Sequence, residues 1–236
     1  VSAFVQGKDG GVINARNVAG NPGAPSYNSN NTAGNLLIAF VWWSGPDAGS
    51  TFNLTSVTDS QGNTWNLIAG TLKGRASTNF TNIYCQIAYA ANCKAGANTV
   101  SANLSGSPSN LDYCWISIAE FSGANIVDQT STGSGTGATI TTGSVTPVQN
   151  NEVVVGVMVG DLSVSPGPGS GFTSIALSSA AGGGWISEYL IQTTATSVAA
   201  TFTDSGTITD WSCALATFGT SPLSSGIAGL FGYIGA

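Results

Sequence analysis

The chain has 236 residues, a formal net charge of −6, no histidine, and only 7 % charged side chains, against about 25 % in an average globular protein. Its five cations are too few and too scattered to follow a phosphate backbone, so nucleic acid is not an expected partner. Without histidine there is no Ser-His-Asp or Cys-His machinery, and the commonest metal ligand is missing.

Taken in chain order, the apolar and alternating runs are SAFVQ (2–6), NLLIAFVWW (35–43), LTSVTD (54–59), TWNLIAG (64–70), NIYCQIAYA (82–90), NTVSANLS (98–105) and DYCWISIAEF (112–121). After them come ATITTGSV (138–145), EVVVGVMVG (152–160), FTSIALS (172–178), GWISEYLIQT (184–193), SVAATFTD (197–204) and DWSCALATF (210–218). Gly, Asn, Ser and Pro clusters separate them, which is the punctuation of strands and turns. The stretch TSTGSGTGATITTGS (130–144) has the composition of a linker, but its second part, ATITTGSV, alternates well enough to be read as a strand. In TDSQGNTW (58–65), Gly-Asn between two strand patterns signals a hairpin turn with Asx hydrogen bonds from Asp59. The same stretch lacks the spacing of a calcium loop.

The second half echoes the first. NLLIAFVWWSG matches EVVVGVMVGD, TVSANLSG matches SVAATFTD, and WISIAEFSG matches SCALATFGT. The expected architecture is all-β: an antiparallel two-sheet sandwich, jelly-roll-like or Ig-like, built from a duplicated half. Residues 1–33 form an N-terminal strand and arm, 34–220 the sandwich (repeat halves about 34–123 and 151–219), and 221–236 an apolar tail. Stacking the halves buries one face of each.

The strings SVTDSQGNTWNLIAG, IAYAANCKAGANTVSANLSG and ISIAEFSG resemble a family of Gly/Ser/Thr-rich β-sandwich domains found in secreted bacterial proteins and in phage virion or tail proteins. The resemblance spans about residues 30 to 220. It implies an exported or virion sandwich and carries over no catalytic residue. The tail after Pro222 and the four cysteines lie outside the pattern.

Those cysteines are Cys85, Cys93, Cys114 and Cys213. Their spacing matches no zinc site. An extended stretch would hold Cys85 and Cys93 about 26 Å apart, too far to bridge. Two disulfide pairings stay open, 85–114 with 93–213 and 85–213 with 93–114, as do four buried free thiols. Disulfides would require an oxidising compartment.

No glycine-rich phosphate loop and no nucleophile elbow is present, and neither a cofactor nor a metal is expected. Glu120 and Glu188 are the only carboxylates considered as a glycosidase-like pair, and the plainer reading makes Glu120 a strand-end residue and Glu188 solvent-facing. Trp42 and Trp43 are adjacent in a strand, so one should lie outside the core. This gives a carbohydrate-binding alternative, with polysaccharide as partner and Trp43, Trp65 and Trp185 as stacking platforms. Asn30, Asn53, Asn79 and Asn103 head N-x-[ST] sequons, which matter only in a glycosylating host.

The tail SPLSSGIAGLFGYIGA carries no charge, and its glycines at 226, 229, 232 and 235 favour close backbone contact over a regular helix. It is expected to dock on protein through Ile227, Leu230, Phe231, Tyr233 and Ile234, on a neighbouring copy in preference to its own sandwich, with membrane contact the least favoured option. No run reaches the ~20 apolar residues of a spanning helix. The function expected from sequence is a non-catalytic structural subunit, extracellular, on the cell surface or in a virion, whose partners are copies of itself.

Overall fold

The computed structural model describes residues 1–14, 24–45, 53–78, 81–105, 113–161, 166–180, 183–205 and 209–220. The first part of the chain forms β1 (Ala3–Asn14), β2 (Leu36–Gly45), β3 (Leu54–Asp59), β4 (Asn66–Leu67), β5 (Lys73–Ser77), β6 (Thr81–Ala90), β7 (Val100–Leu104) and β8 (Tyr113–Ser122). The second forms β9 (Ile126–Gly135), β10 (Ile140–Thr141), β11 (Glu152–Asp161), β12 (Pro166–Pro168), β13 (Thr173–Ala180), β14 (Gly183–Gln192), β15 (Thr201–Asp204) and β16 (Trp211–Gly219). A 3₁₀ turn at Ala69–Thr71 separates β4 from β5, and no described residue is α-helical.

All strand pairs are antiparallel. One large sheet runs β1-β8-β2-β6 and ends in β4 and β5, which both pair with β6. The other runs β9-β16-β11-β14-β13. These orders are the same once β9 is set against β1, β16 against β8, β11 against β2 and β14 against β6. The bulges repeat too: β1 shifts register between Phe4 and Gln6, opposite Phe121 and Glu120, and β9 shifts opposite Ala216 and Phe218.

The sandwich has more layers than the sequence suggests. The large sheets face each other through Leu36, Ile38, Phe40 and Trp42 on one side and Val153, Val155, Val157 and Val159 on the other. The outer face of the first sheet is covered by the β3–β7 pair, whose Leu54, Val57, Val100, Ala102 and Leu104 pack on Leu37, Ala39, Val41 and Trp43. The outer face of the second is covered by β10-β15-β12, where Ile140 and Phe202 meet Val154, Met158 and Leu215. With both faces covered, β2, β11 and β16 are buried at every position, so a continuous apolar run fits them better than alternation. Trp42 and Trp43 are therefore both inside, 2 % and 0 % exposed, and the expectation that one lies outside the core is corrected.

The linker reading of 130–137 is corrected as well: Thr130–Gly135 belongs to β9, paired with β16. The turn at 58–65 has the expected chemistry. Gly62 takes φ +64°, its N–H reaches Asp59 O at 3.2 Å, and Asn63 N–H reaches Asp59 Oδ1 at 2.9 Å.

Candidate functional site

Glu120 and Glu188 are both fully buried, and they do not share a cleft. On β8, Trp115, Ala119 and Phe121 face the inter-sheet core, so Glu120 points to the outer side of the first sheet. On β14, Trp185 and Tyr189 face the same core, so Glu188 points to the outer side of the second. The two carboxyls thus lie on opposite sides of the molecule, Glu120 beside β1 and the 31–35 segment and Glu188 beside Gly169, which follows β12. The reading of Glu188 as solvent-facing is corrected, since it is fully buried, while Glu120 stands near the end of β8, two residues before Ser122.

Glu120 is fully satisfied. Oε1 accepts from Thr32 N–H at 2.9 Å and Asn35 Nδ2 at 2.7 Å, and Oε2 accepts from Gln6 Nε2 at 2.6 Å and Asn31 Nδ2 at 2.7 Å. Burial acts to raise its pKa, but these four donors outweigh burial and hold the carboxyl below the usual carboxylate value. The cradle joins β1, β8 and the 31–35 segment. Its donors are groups that a buried anion needs and a bound substrate would have to displace.

Glu188 is the opposite case. Its one donor is Gly169 N–H, 2.9 Å from Oε2, and Oε1 has no partner. Burial pushes its pKa up to about 8, so the acid is protonated at neutral pH.

Of the tryptophans proposed to stack on sugars, Trp43 is 0 % and Trp185 is 1 % exposed. Trp43 lies parallel to Tyr84 at 5.4 Å, and Trp185 packs against Trp42 and Trp115 at 5.2 and 5.6 Å. Neither ring can meet a ligand without opening a core. Trp65 is half-buried, and its Nε1 donates to Asp59 Oδ2 at 3.0 Å. The same oxygen accepts from Asn63 Nδ2 at 2.7 Å and Asn98 Nδ2 at 3.1 Å, while Lys94 N–H reaches Asn63 Oδ1 at 2.8 Å. The SVTDSQGNTW and CKAGANTV motifs thus meet at Asp59 and tie β3, β7 and the 93–98 loop together.

The four cysteines are free and buried. Cys85 and Cys114 stand on β6 and β8, the two neighbours of β2, opposite Trp42 and Trp43 in turn. They are two strand spacings apart, about 9.6 Å, and point to opposite faces, so they cannot bridge. Cys93 lies in the outer core of the first half and Cys213 in that of the second, which excludes that pair. Cys85 faces the inter-sheet core, on the other side of the second sheet from Cys213, which excludes 85–213 and with it the second two-bridge scheme. Burial pushes the Cys93 thiol up to about 11 and Cys213 up to about 12, away from reactive thiolate chemistry.

A polar cluster bridges the two halves. Arg75 Nε on β5 is 2.8 Å from Asp210 Oδ1, while Thr78 N–H and Oγ1 reach Asp210 Oδ2 at 3.3 and 3.1 Å. Ser77 Oγ donates to Asp161 Oδ2 at 2.8 Å, and Asp210 N–H and Thr209 Oγ1 donate to Asp161 Oδ1. Residues 135 positions apart are not connected by any local spacing signal.

The exposed large apolar side chains include Val1 and Val148, outside the strands, and four on or beside edge strands. Val5 on β1 and Leu177 on β13 are 44 % and 51 % exposed, and β1 runs beside β13. On the opposite side, where β5 runs beside β9, Leu72 and Ile126 are 48 % and 42 % exposed. The expected tail contacts Ile227, Leu230, Phe231, Tyr233 and Ile234 lie outside the described residues. Comparison of the chain with protein-family models, with curated proteins and with solved structures gave no match.

Proposed function

We propose that the chain is a non-catalytic structural subunit of an extracellular or virion assembly, with copies joined through sheet edges and the apolar segment 221–236. The observation that carries this reading is where the chemistry lies. The candidate acids, thiols and all but one of the candidate aromatic platforms are sealed inside, while exposed Val5, Leu177, Leu72 and Ile126 stand on or beside the outermost strands of both large sheets. Edge strands with apolar neighbours are natural joining surfaces. Low surface charge weakens repulsion between like copies.

The test is particle mass by light scattering, with electron microscopy of the same sample, for the full chain and for a chain lacking 222–236. Assembly of the full chain and its loss or weakening on truncation are expected. A monomer in both forms across the micromolar range refutes the reading. The carbohydrate alternative retains only Trp65, so glycan binding abolished by Trp65→Ala in a monomeric chain would replace it.

A further inference from the structure

In each half an arm leads into the central strand, β2 or β11, and crosses the loop that follows β6 or β14. The crossings start alike. Val100 N–H reaches Pro25 O at 3.0 Å, and Val198 N–H reaches Val145 O at 2.8 Å. Beyond that point the first arm stays on its loop. Tyr27 N–H reaches Asn98 O at 3.1 Å, Asn31 and Gly96 exchange bonds of 2.9 and 3.1 Å, and Gly34 N–H reaches Cys93 O at 2.8 Å. The Tyr27 side chain is buried in the outer core, and its hydroxyl donates to Ala119 O at 3.0 Å.

The second arm, from Val145 to Val153, is shorter. Among the described residues it next meets its loop at the far end, where Ala195 N–H bonds Asn150 Oδ1 at 2.7 Å and Asn151 N–H bonds Gln192 O at 2.8 Å. Pro147 stands where Tyr27 does, two residues past the bridge, and supplies no ring. The second loop is left open as a result. Asn98 and Val100 are buried, while their counterparts Thr196 and Val198 are exposed and half-buried. A groove of about 530 Å³ lies here, lined by Leu190, Ile191 and Val198 with Thr193, Thr194 and Thr196, and no lining residue is charged. Gln192 also lines it. It is 8 % exposed and its Oε1 has no hydrogen-bond partner, so an incoming N–H would serve it.

We propose that this groove receives the apolar segment 221–236 of a second copy, laid along 193–198 as the arm 26–32 lies along 96–99. The inference rests on the assembly reading above and names the surface that takes the segment. Three features select this occupant. The segment is uncharged, like the groove, and its regularly spaced glycines allow close backbone approach. Phe231 and Tyr233, two residues apart, project to one side of an extended chain and supply the ring that Pro147 lacks. The third feature is polarity. The first arm runs antiparallel to its loop, entering beside Val100 and leaving beside Cys93. The chain's own segment starts after Thr220, which Gln149 holds through two contacts of 3.0 Å next to Asn150, at the end where such an arm leaves. It therefore meets the groove from the wrong end, whereas the segment of a second copy can follow the arm's course. Groove and segment are different surfaces, so the contact is head-to-tail and builds a ring or a filament unless two copies exchange segments.

The experiment uses the full chain carrying both Ser197→Cys and Tyr233→Cys, since the four native thiols are buried. Ser197 is exposed, so its variants are expected to fold, and circular dichroism checks this. After mild oxidation, non-reducing electrophoresis should show covalent multimers at about tenfold the yield of a Leu177→Cys/Tyr233→Cys control, because a disulfide forms only between closely held positions. Separately, Ser197→Trp fills the groove and should weaken self-association in light scattering by about tenfold or more. Three results overturn the proposal. Monomers closed on themselves, about 2 Da lighter, assign the groove to the chain's own segment. Equal multimer yields from the two double variants, while truncation at 222 still abolishes assembly, leave the assembly reading standing without this groove. A chain that stays monomeric in every form removes both.

Discussion

The ring of Tyr89 stands edge-on to that of Phe218, with centroids 5.6 Å apart and planes at 62°. Tyr189 meets Phe121 in the same way, at 5.5 Å and 70°. Tyr89 and Tyr189 occupy equivalent places on β6 and β14, and Phe121 and Phe218 on β8 and β16, so each contact crosses from one large sheet to the other. The pairs are related by a pseudo-two-fold axis along the strands. This arrangement also places β1 beside β13 and β5 beside β9.

That symmetry predicts matching energetics. Double-mutant cycles for Tyr89/Phe218 and Tyr189/Phe121, each to Ala, should give similar couplings of about 0.5–1.5 kcal/mol in urea unfolding. The crossed combination Tyr89/Phe121 should give a coupling near zero. Phe121→Ala and Phe218→Ala alone should each cost about 3–5 kcal/mol. Strong coupling in the crossed pair would refute the symmetric arrangement.

Glu120 and Glu188 should respond to pH in opposite directions. Glu120 is stabilised as the anion, so its contribution is present above the ordinary carboxylate range and is lost as pH falls through its lowered folded value. Replacing it with Gln sets an amide N–H among four donors, and at pH 7 this should cost about 2–4 kcal/mol. The deficit should shrink below pH 4. An unchanged midpoint in urea at pH 7 would show that the cradle is not holding an anion.

For Glu188 the raised value works the other way. Between its ordinary value of 4.5 and about 8, the folded chain keeps a proton that the unfolded chain releases. Stability should therefore fall by about 1.4 kcal/mol per pH unit across that window and level off above it. Glu188→Gln keeps the volume, cannot ionise and should remove this slope, so the variant should exceed wild type at pH 8 and approach it near pH 5. Parallel stability–pH curves for the two proteins would sink the assignment.

The four thiols should be silent in the native state. A thiol reagent such as DTNB should find no reactive group at pH 8, and all four should react at once in 6 M guanidinium. Intact mass should show no loss of 2 Da per bridge, and reductant should leave the unfolding temperature unchanged. A mass lowered by 2 or 4 Da would show bridges that the buried positions of these cysteines do not accommodate.

How much of this could be read from sequence depended on burial pattern. The strings NTVSANLS and EVVVGVMVG announce β7 and β11 because one alternates and the other is continuously apolar. The strand β9 gives no such signal. It is an edge strand, half-buried along nearly its whole length, so Thr, Ser and Gly suffice there. In β12, Pro166 and Pro168 sit on an edge beside β15, where a missing N–H costs little. Trp43 and Trp185 looked available because alternation assumes one wet face per sheet, and here the small sheets cover both large ones. The buried carboxylates were harder still. An Asn at 35 and a Glu at 152 look unrelated until the duplicated strands are superposed, and their partners arrive from distant segments.

The Arg75–Asp210 contact carries the last prediction. Burial acts to raise the Asp210 pKa, and the Arg75 and Thr78 hydrogen bonds outweigh it and hold the carboxyl below its ordinary value. The pair links β5 of the first half to the start of β16 in the second, with the Arg75 side chain 30 % and the Asp210 side chain 10 % exposed. Arg75→Ala leaves a nearly buried anion with only the Thr78 donors, so it should cost about 1–3 kcal/mol, more than a surface ion pair. Asp210→Asn should cost less, because the amide still accepts from Arg75. The large inter-sheet core binds the halves more strongly than this contact does, so denaturation should stay a single transition in both variants, with coincident tryptophan fluorescence and circular dichroism curves. Two separated transitions in Arg75→Ala would mean that the polar latch, and not the shared aromatic core, makes the halves fold as one unit.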